Sequence, residues 1–429
     1  MKRTLQLALD FVDLPRAVKV AREAVAAGVE NLEAGTPLIK SCGLEAVRVL
    51  RKEFPAVKLV ADLKVMDTGR LEAEMAFKAG ADVVVVLAAA SDETIREAVE
   101  ASRNYGGQVM VDLMEESARL DRACSVEKLG IDYLGVHLAI DEQMKGKISF
   151  DFLRQVCQKV SLPVAVAGGL NSENVVEAVK AGASILIVGG AITKAPDVAE
   201  AVAKFRQAIT TGQPVRTQLY WRADQEKVRE VLSRVSTANL SDALHRRGWL
   251  DGIHPVSSGV KMVGPAITVR TYPGDWAKPV EAVDMAEAGQ VIVIDAGGVP
   301  PAVWGELATH SCITKGVAGV VIHGAIRDVE DIRKMSFPAF AKVITPQAGE
   351  PKGLGEINVP LRFGGQEILS GDWLVGDSDG VVVIPKAILV EVANRAADVL
   401  EKENRLRKEI QEGGTLSSIA EVLKWEKPR

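Results

Sequence analysis

Aromatic residues are scarce in this 429-residue chain, at 4% of the sequence, and the six tryptophans all lie after residue 220. The four cysteines form no CxxC pair and show no metal-ligand spacing, so we expect reduced thiols in a cytoplasmic protein. Apolar runs stay well below the ~18 residues of a membrane-spanning helix. The 52 basic and 57 acidic residues are intermixed, so no basic surface for nucleic acid is predicted. Membrane proteins, disulfide scaffolds and zinc ribbons are disfavoured.

The lack of tryptophan in the first half marks a change of composition along the chain. A polar stretch at 210–218 contains Gly and Pro and has no apolar periodicity, which is typical of a linker. At roughly 100–200 residues per domain, the length allows two domains or one large barrel with an extension. We predict a first domain over 1–210, a linker over 211–225 and a second domain over 226–429.

The first 210 residues alternate short apolar runs with helical patterns eight times. The runs at 83–86 and 185–188 are continuously apolar, as in parallel strands that are buried on both faces. Eight such units favour a (β/α)8 TIM barrel, and a doubly wound open sheet is the alternative. Strands are predicted at 4–9, 29–33, 57–62, 82–88, 108–113, 131–137, 162–167 and 184–188.

Polar residues and glycines follow most of these strands. In such barrels the chemistry lies at the carboxyl ends of the strands. A single acid at a strand end is more often a helix cap than a catalyst, but here the whole set converges on one mouth. In chain order the strand ends carry Asp10, Glu33, Asp62, Asp112, His137, Gly168-Gly169 and Gly189-Gly190, with the fourth strand lacking a polar end.

The densest signal is the segment that holds Asp62, Lys64 and Asp67. In a regular strand Asp62 and Lys64 share one face. Neighbouring carboxylates keep an ammonium group protonated, which suits stabilisation of an oxyanion rather than Schiff-base formation. A salt-bridge network at the rim of the barrel is the alternative interpretation.

Three further features predict the kind of substrate. Glu33 and Asp62 offer two hard oxygen ligands, which suit Mg²⁺ or Mn²⁺ together with vicinal substrate oxygens. His137, the only histidine of the first half, could transfer protons or could simply be packed. The two glycine pairs offer backbone amides where barrels often bind phosphate. Together they predict a sugar phosphate that reacts through an enediolate.

The motifs of the first half resemble the orotidine monophosphate decarboxylase superfamily and, within it, most closely the 3-hexulose-6-phosphate synthase family. The resemblance covers residues 1 to about 210. It rests on Asp62-x-Lys64-x-x-Asp67, on the paired glycines, and on His137 with Asp141 and Gln143.

The alternative member is the 3-keto-L-gulonate-6-phosphate decarboxylase family, which shares the Asp-Lys-Asp motif. That family typically has Glu at the position of Asp112, Arg in the loop at 138–140 and Thr at the position of Ala167. This chain has Asp112, the neutral Leu-Ala-Ile and Ala167 at these positions. All three differences favour the synthase.

The resemblance implies an enzyme, an aldehyde-lyase, that adds formaldehyde to D-ribulose 5-phosphate in a reversible, Mg²⁺-dependent aldol reaction. It implies that Glu33 and Asp62 hold the metal. Lys64 would stabilise the enediolate, and His137 would move the C1 proton.

The resemblance also implies how the substrate and a second subunit bind. The loops with Gly168-Gly169 and Gly189-Gly190 would hold the phosphate, and we expect Asp10 and Asp112 to contact the substrate at the same mouth. In this family Asp67 tends to serve the active site of a neighbouring subunit, so a barrel dimer is implied.

The second half predicts an α/β domain without eight repeats. Its predicted strands lie near 265–271, 290–295, 318–323, 340–344 and 373–384, and its helices lie at 236–244, 279–288, 301–315 and 328–335. An amphipathic helix is predicted over 385–412, for packing or oligomer contact.

Two constellations in the second half suggest chemistry. The segment Trp304-Gly305-Glu306-Leu307 begins a predicted helix, whose amides could bind a carboxylate. Arg327 and Asp328 follow the strand that contains His323; an arginine forks onto carboxylates, and an aspartate can ligate Mg²⁺. Taken alone, such an Arg-Asp pair is usually a surface ion pair or a helix cap.

These marks resemble, from about 236 to 385, the family of RraA, a regulator of ribonuclease E, and of the 4-hydroxy-4-methyl-2-oxoglutarate aldolases. The resemblance implies a compact fold in trimers or hexamers, with Arg327 holding the pyruvate enolate of a 2-oxo acid and Asp328 a divalent metal. Gly305, Glu306 and Leu307 would supply binding amides. The regulator branch commonly lacks Asp328, but His323 replaces a residue that is often acidic. A non-catalytic protein-interaction module is therefore the alternative.

Overall fold

The computed structural model describes residues 3–114, 120–137, 143–145, 150–217, 219, 222–257 and 259–420. They form two compact units. The first holds the described residues within Met1–Gln143, Lys147–Trp221 and Glu401–Arg429, and the second those within Met144–Gly146 and Arg222–Leu400. The predicted features at 138–140 and at Asp141 lie outside the described residues. Within the described ranges, no helix is long and apolar enough to cross a lipid bilayer.

The first unit contains a closed barrel of eight parallel strands, which confirms the predicted fold class. Neighbouring strands pair in chain order, and the first strand pairs with the eighth. The strands are β1 (Thr4–Leu9), β2 (Asn31–Ala34), β3 (Lys58–Val65), β4 (Val83–Leu87), β5 (Gln108–Met114), β6 (Tyr133–His137), β7 (Val164–Ala167) and β8 (Ile185–Val188).

Helices separate these strands and begin and end at recognisable signals. Asp13 and Ser91 cap helix N-termini through their side-chain oxygens, and Gly80 ends a helix in the left-handed conformation. The single helix predicted at 41–54 is two helices, because Gly43 interrupts it at φ +62°. The helices are Leu14–Ala26, Thr36–Cys42, Glu45–Glu53, Gly69–Ala79, Asp92–Tyr105, Leu120–Glu127, Asp151–Lys159, Val175–Ala181, Gly190–Thr193 and Val198–Thr211.

Two apolar layers hold the barrel together. Residues such as Leu5, Leu7 and Leu9 on β1 pack between the strands and the surrounding helices. Alternate residues, among them Ala8 and Met110, form a separate cluster of barrel strands, as expected for side chains that fill a barrel interior. This packed interior leaves the carboxyl ends of the strands as the open mouth.

The second unit is built on a mixed sheet. Its strands follow the order β19-β18-β10-β11-β13-β14-β9, with β12 paired to β13 and β15 to β10. They are β9 (His254–Pro255), β10 (Met262–Arg270), β11 (Val291–Asp295), β12 (Ala302–Trp304), β13 (Gly319–Ile326), β14 (Ala339–Ile344), β15 (Glu356–Ile357), β18 (Trp373–Asp377) and β19 (Gly380–Ile384). A separate hairpin pairs β16 (Leu361–Phe363) with β17 (Gln366–Ile368).

Helices flank this sheet, and buried apolar clusters fill the space between them. The predicted helix after Ser236 is confirmed, because Ser236 and Asn239 form a reciprocal capping box. The helices are Val228–Arg234, Thr237–Ala243, Ala277–Met285, Glu306–Lys315, Val329–Lys334 and the first part of Leu389–Gln411. The part of that last helix from Glu401 onward and the helix Leu416–Ile419 belong to the first unit.

Two predicted elements of the second half are wrong. The strand predicted at 373–384 is a hairpin, since β18 and β19 pair antiparallel around a two-residue turn. The helix predicted at 301–315 begins only at Glu306, because Ala302–Trp304 pairs with β13 as a strand. Short strands such as β9 and β15 are too brief to show a periodic pattern.

Candidate active site

A cavity of about 660 Å³ opens at the carboxyl ends of the barrel strands. It gathers the polar strand ends that were predicted to meet there. Among the residues that line it are Asp10, Glu33, Asp62, Lys64, Asp112, His137, Gly168, Gly169, Gly189 and Gly190. Asp67 is exposed and lies outside this lining, so its own barrel does not bring it to the predicted site.

Lys64 reaches the cavity through a distorted strand. The pairing of β3 with β4 shifts register between Ala61 and Val65, and Lys64 has φ +50°. The left-handed region is costly for a residue with a Cβ, by about 1–3 kcal/mol. Lys64 contacts Asp62 across this bulge, and not through the regular strand period on which the sequence prediction relied.

Lys64, Asp112 and His137 form a continuous polar chain. Lys64 Nζ lies 3.1 Å from Asp62 Oδ1 and 3.1 Å from Asp112 Oδ2. His137 Nδ1 lies 3.2 Å from the same Asp112 oxygen. Burial by itself lowers the pKa of Lys64, but the carboxylates of Asp62 and Asp112 raise it above its usual value. Two carboxylates therefore favour the charged ammonium form, but the second one is Asp112 and not Asp67, which the sequence pattern had placed beside Lys64.

Asp112 is buried, and its two carboxylate oxygens differ in their hydrogen bonding. Burial alone would raise its pKa, but the hydrogen bond with His137 and the charges of His137 and Lys64 hold the pKa below its usual value. Its Oδ1 atom is buried and has no hydrogen-bond partner among the residues that the structure describes. A buried acceptor without a partner is costly, and this one belongs to a residue that lines the cavity. Asp112 therefore has an acceptor available for a substrate hydroxyl.

The carboxyl groups of Asp10, Glu33 and Asp62 influence one another in the cavity. Gln6 Nε2 donates to Glu33 Oε2 at 2.5 Å, and Thr36 Oγ1 donates to Asp62 Oδ2 at 2.8 Å. Burial, together with the charges of Asp62 and Asp10, raises the pKa of Glu33 well above its usual value. Burial and Asp62 likewise raise the pKa of Asp10. A cation between these groups would offset their mutual repulsion.

Two carboxylates of the cavity have the chemistry to hold a metal ion. In the described ranges no group of three or more His, Cys, Asp or Glu side chains is arranged as a metal site. Mg²⁺, however, is usually bound by one or two carboxylates with water and substrate oxygens completing its shell. Glu33 and Asp62 fit that need as a pair of buried carboxylates at one cavity wall.

The first glycine pair has a backbone conformation that favours glycine. Gly168 and Gly169 have φ +99° and +69°, where a side chain would be strained. Gly35 is needed for a different reason, since a Cβ there would lie 2.2 Å from Asp10 Oδ1.

Sequence reasoning missed four residues of this site. Gln6 of β1 and Thr36, the first residue of the helix Thr36–Cys42, donate hydrogen bonds to the carboxylates of Glu33 and Asp62. Thr193 and Lys194 line the cavity just after the second glycine pair. The signal for Lys194 was present, because it lies in the same short turn as Gly189-Gly190. Gln6 is a central residue of β1, where nothing in the sequence distinguishes it.

The second unit gathers its predicted residues around Asp328. Asp328 Oδ2 lies 3.3 Å from Arg327 Nε and accepts a hydrogen bond of 3.3 Å from the Glu306 amide. A Cβ on Gly305 would lie 2.5 Å from that same oxygen. Leu307 is 74% exposed, so only its amide remains a predicted ligand. Around Asp328 the described residues supply no cluster of metal ligands, and its metal role stays a prediction.

A histidine-aspartate pair lies at the end of β11 and was not predicted. His323 Nδ1 is 2.7 Å from Asp295 Oδ1, and the His323 ring stacks on Phe363 at 4.8 Å. Burial by itself raises the pKa of Asp295, but the hydrogen bond from His323 and the Gly297 amide lowers it overall. A Cβ on Gly298 would lie 2.7 Å from His323 Nε2 and 2.9 Å from Lys342 Nζ. Asp295 on β11 and His323 on β13 are register partners in the parallel pairing of these strands.

The comparisons with known proteins agree with the barrel geometry. Residues 3–205 match the model of the orotidine 5'-phosphate decarboxylase / HUMPS family. The 3-hexulose-6-phosphate synthase of Bacillus subtilis is 39% identical over 209 residues, which cover 48% of this chain and 99% of the relative. That of Mycobacterium gastri is 40% identical over 205 residues, which cover 48% and 99%. The chain belongs to the orotidine 5'-phosphate decarboxylase / HUMPS family. The prediction that its barrel is an enzyme of the lyase class is confirmed by these relatives.

The second unit has its own match. Residues 237–383 fit the RraA-like family, described as Aldolase/RraA, so the predicted RraA-like domain is confirmed. The solved RNA-processing inhibitor RraA from a Thermus species is 32% identical and covers 36% of this chain and 94% of that one, with a TM-score of 0.34. The chain thus joins a HUMPS-family barrel to an RraA-like domain.

Proposed function

We propose that the barrel catalyses the reversible, Mg²⁺-dependent addition of formaldehyde to D-ribulose 5-phosphate, which gives 3-hexulose 6-phosphate. The observation that carries the proposal is the Lys64–Asp112–His137 chain in the cavity. Identity of about 40% to named synthases over the whole barrel supports it. We also propose that the enzyme acts in the cytoplasm.

Substrate binding would use both ends of the cavity. The amides of Gly168-Gly169 and Gly189-Gly190, with Lys194 beside them, would hold the phosphate. Asp10 and the partnerless oxygen of Asp112 would accept hydrogen bonds from sugar hydroxyls. Glu33 and Asp62 would hold Mg²⁺ or Mn²⁺, which, when bound, supplies a Lewis acid for vicinal substrate oxygens.

Proton transfer falls to His137. Because its Nδ1 contacts Asp112, its Nε2 is the nitrogen left to remove the C1 proton from ribulose 5-phosphate. The ammonium group of Lys64, kept charged by two carboxylates, would stabilise the negative charge that then develops on the substrate oxygen. The resulting carbanion at C1 would attack the carbonyl carbon of formaldehyde and form the new C–C bond. The C=O π bond breaks as its electron pair moves to the formaldehyde oxygen, and this alkoxide takes the proton that His137 removed, which gives the product hydroxyl.

The Lys64→Ala variant tests this mechanism. We expect loss of C1 proton exchange between ribulose 5-phosphate and D₂O, by at least about 10²-fold, as for removal of an oxyanion-stabilising group. Lys58→Ala is the matched control, since Lys58 belongs to the same strand but contacts Gln108 and Tyr133 instead. Undiminished exchange in Lys64→Ala would remove Lys64 from the mechanism. Release of CO₂ from 3-keto-L-gulonate 6-phosphate would support the decarboxylase alternative.

For the second unit we propose a lyase that acts on a 2-oxo acid. The contact of Arg327 with Asp328 beside the Glu306 amide supports a carboxylate-binding site there. Pyruvate release from 4-hydroxy-4-methyl-2-oxoglutarate or oxaloacetate with Mg²⁺ is the test. Arg327→Ala should abolish it, whereas Arg362→Ala, which changes an exposed arginine, should not. Absence of release together with co-purification of a ribonuclease would favour the protein-interaction module.

We propose that the chain forms homo-oligomers, with barrel dimers and with trimers or hexamers of the second domain. Asp67 would then reach the cavity of a neighbouring barrel. Three apolar side chains near Asp67 support this dimer surface, because Met66, Leu71 and Met75 are 52%, 59% and 48% exposed. No nucleic-acid or membrane partner is proposed.

A further inference from the structure

The two glycine loops of the cavity are each tied from outside by a segment that is not one of the eight β/α repeats. The first loop runs over 168–174 and the second over 189–197. Their inner residues line the cavity: Gly168, Gly169, Leu170, Gly189, Gly190, Thr193 and Lys194. Their outer residues bind the segments 215–217 and 401–411, both within the first unit.

The segment that follows the last barrel helix binds the first loop. Ser172 Oγ donates to the carbonyl of Val215 at 2.7 Å, and the Val215 amide donates to the carbonyl of Ser172 at 3.0 Å. The Thr217 amide donates to Glu173 Oε1 at 2.8 Å. Ser172 is only 3% exposed, so these bonds are shielded from competing water.

Hydrogen bonds within the first loop connect Ser172 and Glu173 to the glycine pair. Asn171 Oδ1 accepts from the amides of Glu173 and Asn174. Asn174 Nδ2 in turn donates to the carbonyl of Gly169 at 2.8 Å. Gly169 has a left-handed backbone. We expect the hydrogen bond from Asn174 to hold this conformation and, with it, the direction of the amide groups in the loop.

Arg405 of the helix Leu389–Gln411 holds the second loop. Its Nη1 donates to the carbonyls of Ala195 and Pro196 at 3.1 and 3.3 Å. Ala195 follows Lys194, a cavity residue, directly in the chain. The guanidinium is 3% exposed and is held in turn by Glu409 at 2.7 Å and by Glu23 at 3.3 Å. A buried arginine thus spans two carboxylates and two carbonyls, which the planar fork of guanidinium allows.

We infer that Arg405 and Ser172 are positioning residues for the phosphate end of the active site. They fix, from outside the barrel, the two loops whose amides would grip the sugar phosphate. The inference rests on the proposed function, since it assumes that these loops hold the phosphate. Its consequence is that the barrel depends on the segments after residue 212 for substrate affinity.

The test uses Arg405→Lys and Ser172→Ala in the full chain. Lysine keeps a positive charge for Glu23 and Glu409 but cannot reach the two carbonyls as well. We expect each variant to raise KM for ribulose 5-phosphate and Ki for inorganic phosphate by about five- to tenfold, the size of one lost hydrogen bond. The kcat and the KM for formaldehyde should change by less than about twofold, because the polar chain at Lys64 is untouched.

Two matched variants serve as controls. Arg407→Ala changes a half-exposed arginine on the same helix that pairs with Glu403. Ser125→Ala removes a hydroxyl that donates to the Arg122 carbonyl on a helix outside the cavity. Both should keep the wild-type KM, and inorganic phosphate should bind them as it binds the wild type.

The outcomes separate the two claims. An active wild type whose Arg405→Lys and Ser172→Ala variants match the controls would overturn the inference and leave the proposed function in place. Equal losses of kcat and affinity for both substrates would also overturn it, because they indicate a general structural role. A wild type that neither converts ribulose 5-phosphate nor binds phosphate would overturn the proposed function, and this inference with it.

Discussion

Lys64 owes its place in the cavity to a backbone conformation that residues with side chains seldom adopt. The sequence predicted that Asp62 and Lys64 would meet, because both residue types and their spacing are visible in it. It did not predict the bulge or the φ of +50° at Lys64, since these depend on how β3 pairs with β4. Strain of this kind persists only where surrounding contacts fix it, and here the contacts are Asp62 and Asp112.

The carboxylate of Asp112 contacts both Lys64 and His137 and holds them in place. In the Asp112→Asn variant the amide loses the negative charge that holds Lys64 and His137. We expect kcat for formaldehyde addition to fall by about 10²- to 10⁴-fold, the range for loss of positioned acid–base catalysis. Steady-state kinetics with ribulose 5-phosphate measures it.

The control for that variant is Asp121→Asn, which changes an exposed aspartate of the same unit and should leave kcat unchanged. A kcat for Asp112→Asn within twofold of the control would contradict the role assigned to Asp112.

The strands of the barrel were predictable as elements because short runs rich in apolar residues recur between helical patterns, and two of these runs, at 83–86 and 185–188, are continuously apolar. The second unit was less so. Trp304 lies in a short strand that is completed by pairing with β13, and such pairing is invisible in a three-residue segment. The contacts of His323 with Asp295 and Phe363 likewise join residues from three separate strands. Long periodic elements are encoded locally, whereas the short ones depend on their neighbours.

The loop after β14 depends on one aspartate. Asp275 is 2% exposed and accepts hydrogen bonds from the amides of Ala277, Lys352, Gly353 and Leu354. Burial by itself raises its pKa, but these amides lower the pKa below the usual value. The carboxylate therefore stabilises the fold above the unfolded pKa of about 3.9, and this contribution disappears as the pH falls through the lower, folded pKa.

We predict that Asp275→Asn lowers the free energy of unfolding of the second unit by about 1–3 kcal/mol at pH 7. The difference from wild type should shrink as the pH falls below about 4. Urea denaturation followed at both pH values measures it, with the exposed Asp284→Asn as the control. A difference that is the same at pH 7 and pH 3 would contradict the assignment.

At the scale of the whole molecule, the prediction of two joined family domains is confirmed by their separate family matches. Composition and periodicity predicted a boundary at 211–225, but they did not predict which distant segments of the chain contact one another. The described part of Glu401–Arg429 belongs to the barrel unit, and the buried Arg405 accounts for this through its bonds to Ala195 and Glu23. A long-range contact of one arginine leaves no local pattern in a sequence.

The proposed barrel dimer predicts that two inactive variants complement each other. If Asp67 serves the neighbouring cavity, Asp67→Ala and Lys64→Ala chains will each be inactive alone. Random mixing of equal amounts makes half of the dimers mixed, and each mixed dimer has one intact site, so about a quarter of wild-type activity should return. Formaldehyde consumption after co-refolding or co-expression measures it. Mixtures that remain as inactive as the separate variants would contradict a shared site.

The most direct test of the account is formation of 3-hexulose 6-phosphate from ¹³C-formaldehyde and ribulose 5-phosphate by the purified full chain, followed by NMR. We predict a new ¹³C-labelled sugar phosphate that appears only when both substrates and Mg²⁺ are present and that EDTA abolishes. No labelled product from the folded protein, under conditions where 3-keto-L-gulonate 6-phosphate is decarboxylated, would contradict the proposed synthase and assign the Lys64 site to the other reaction.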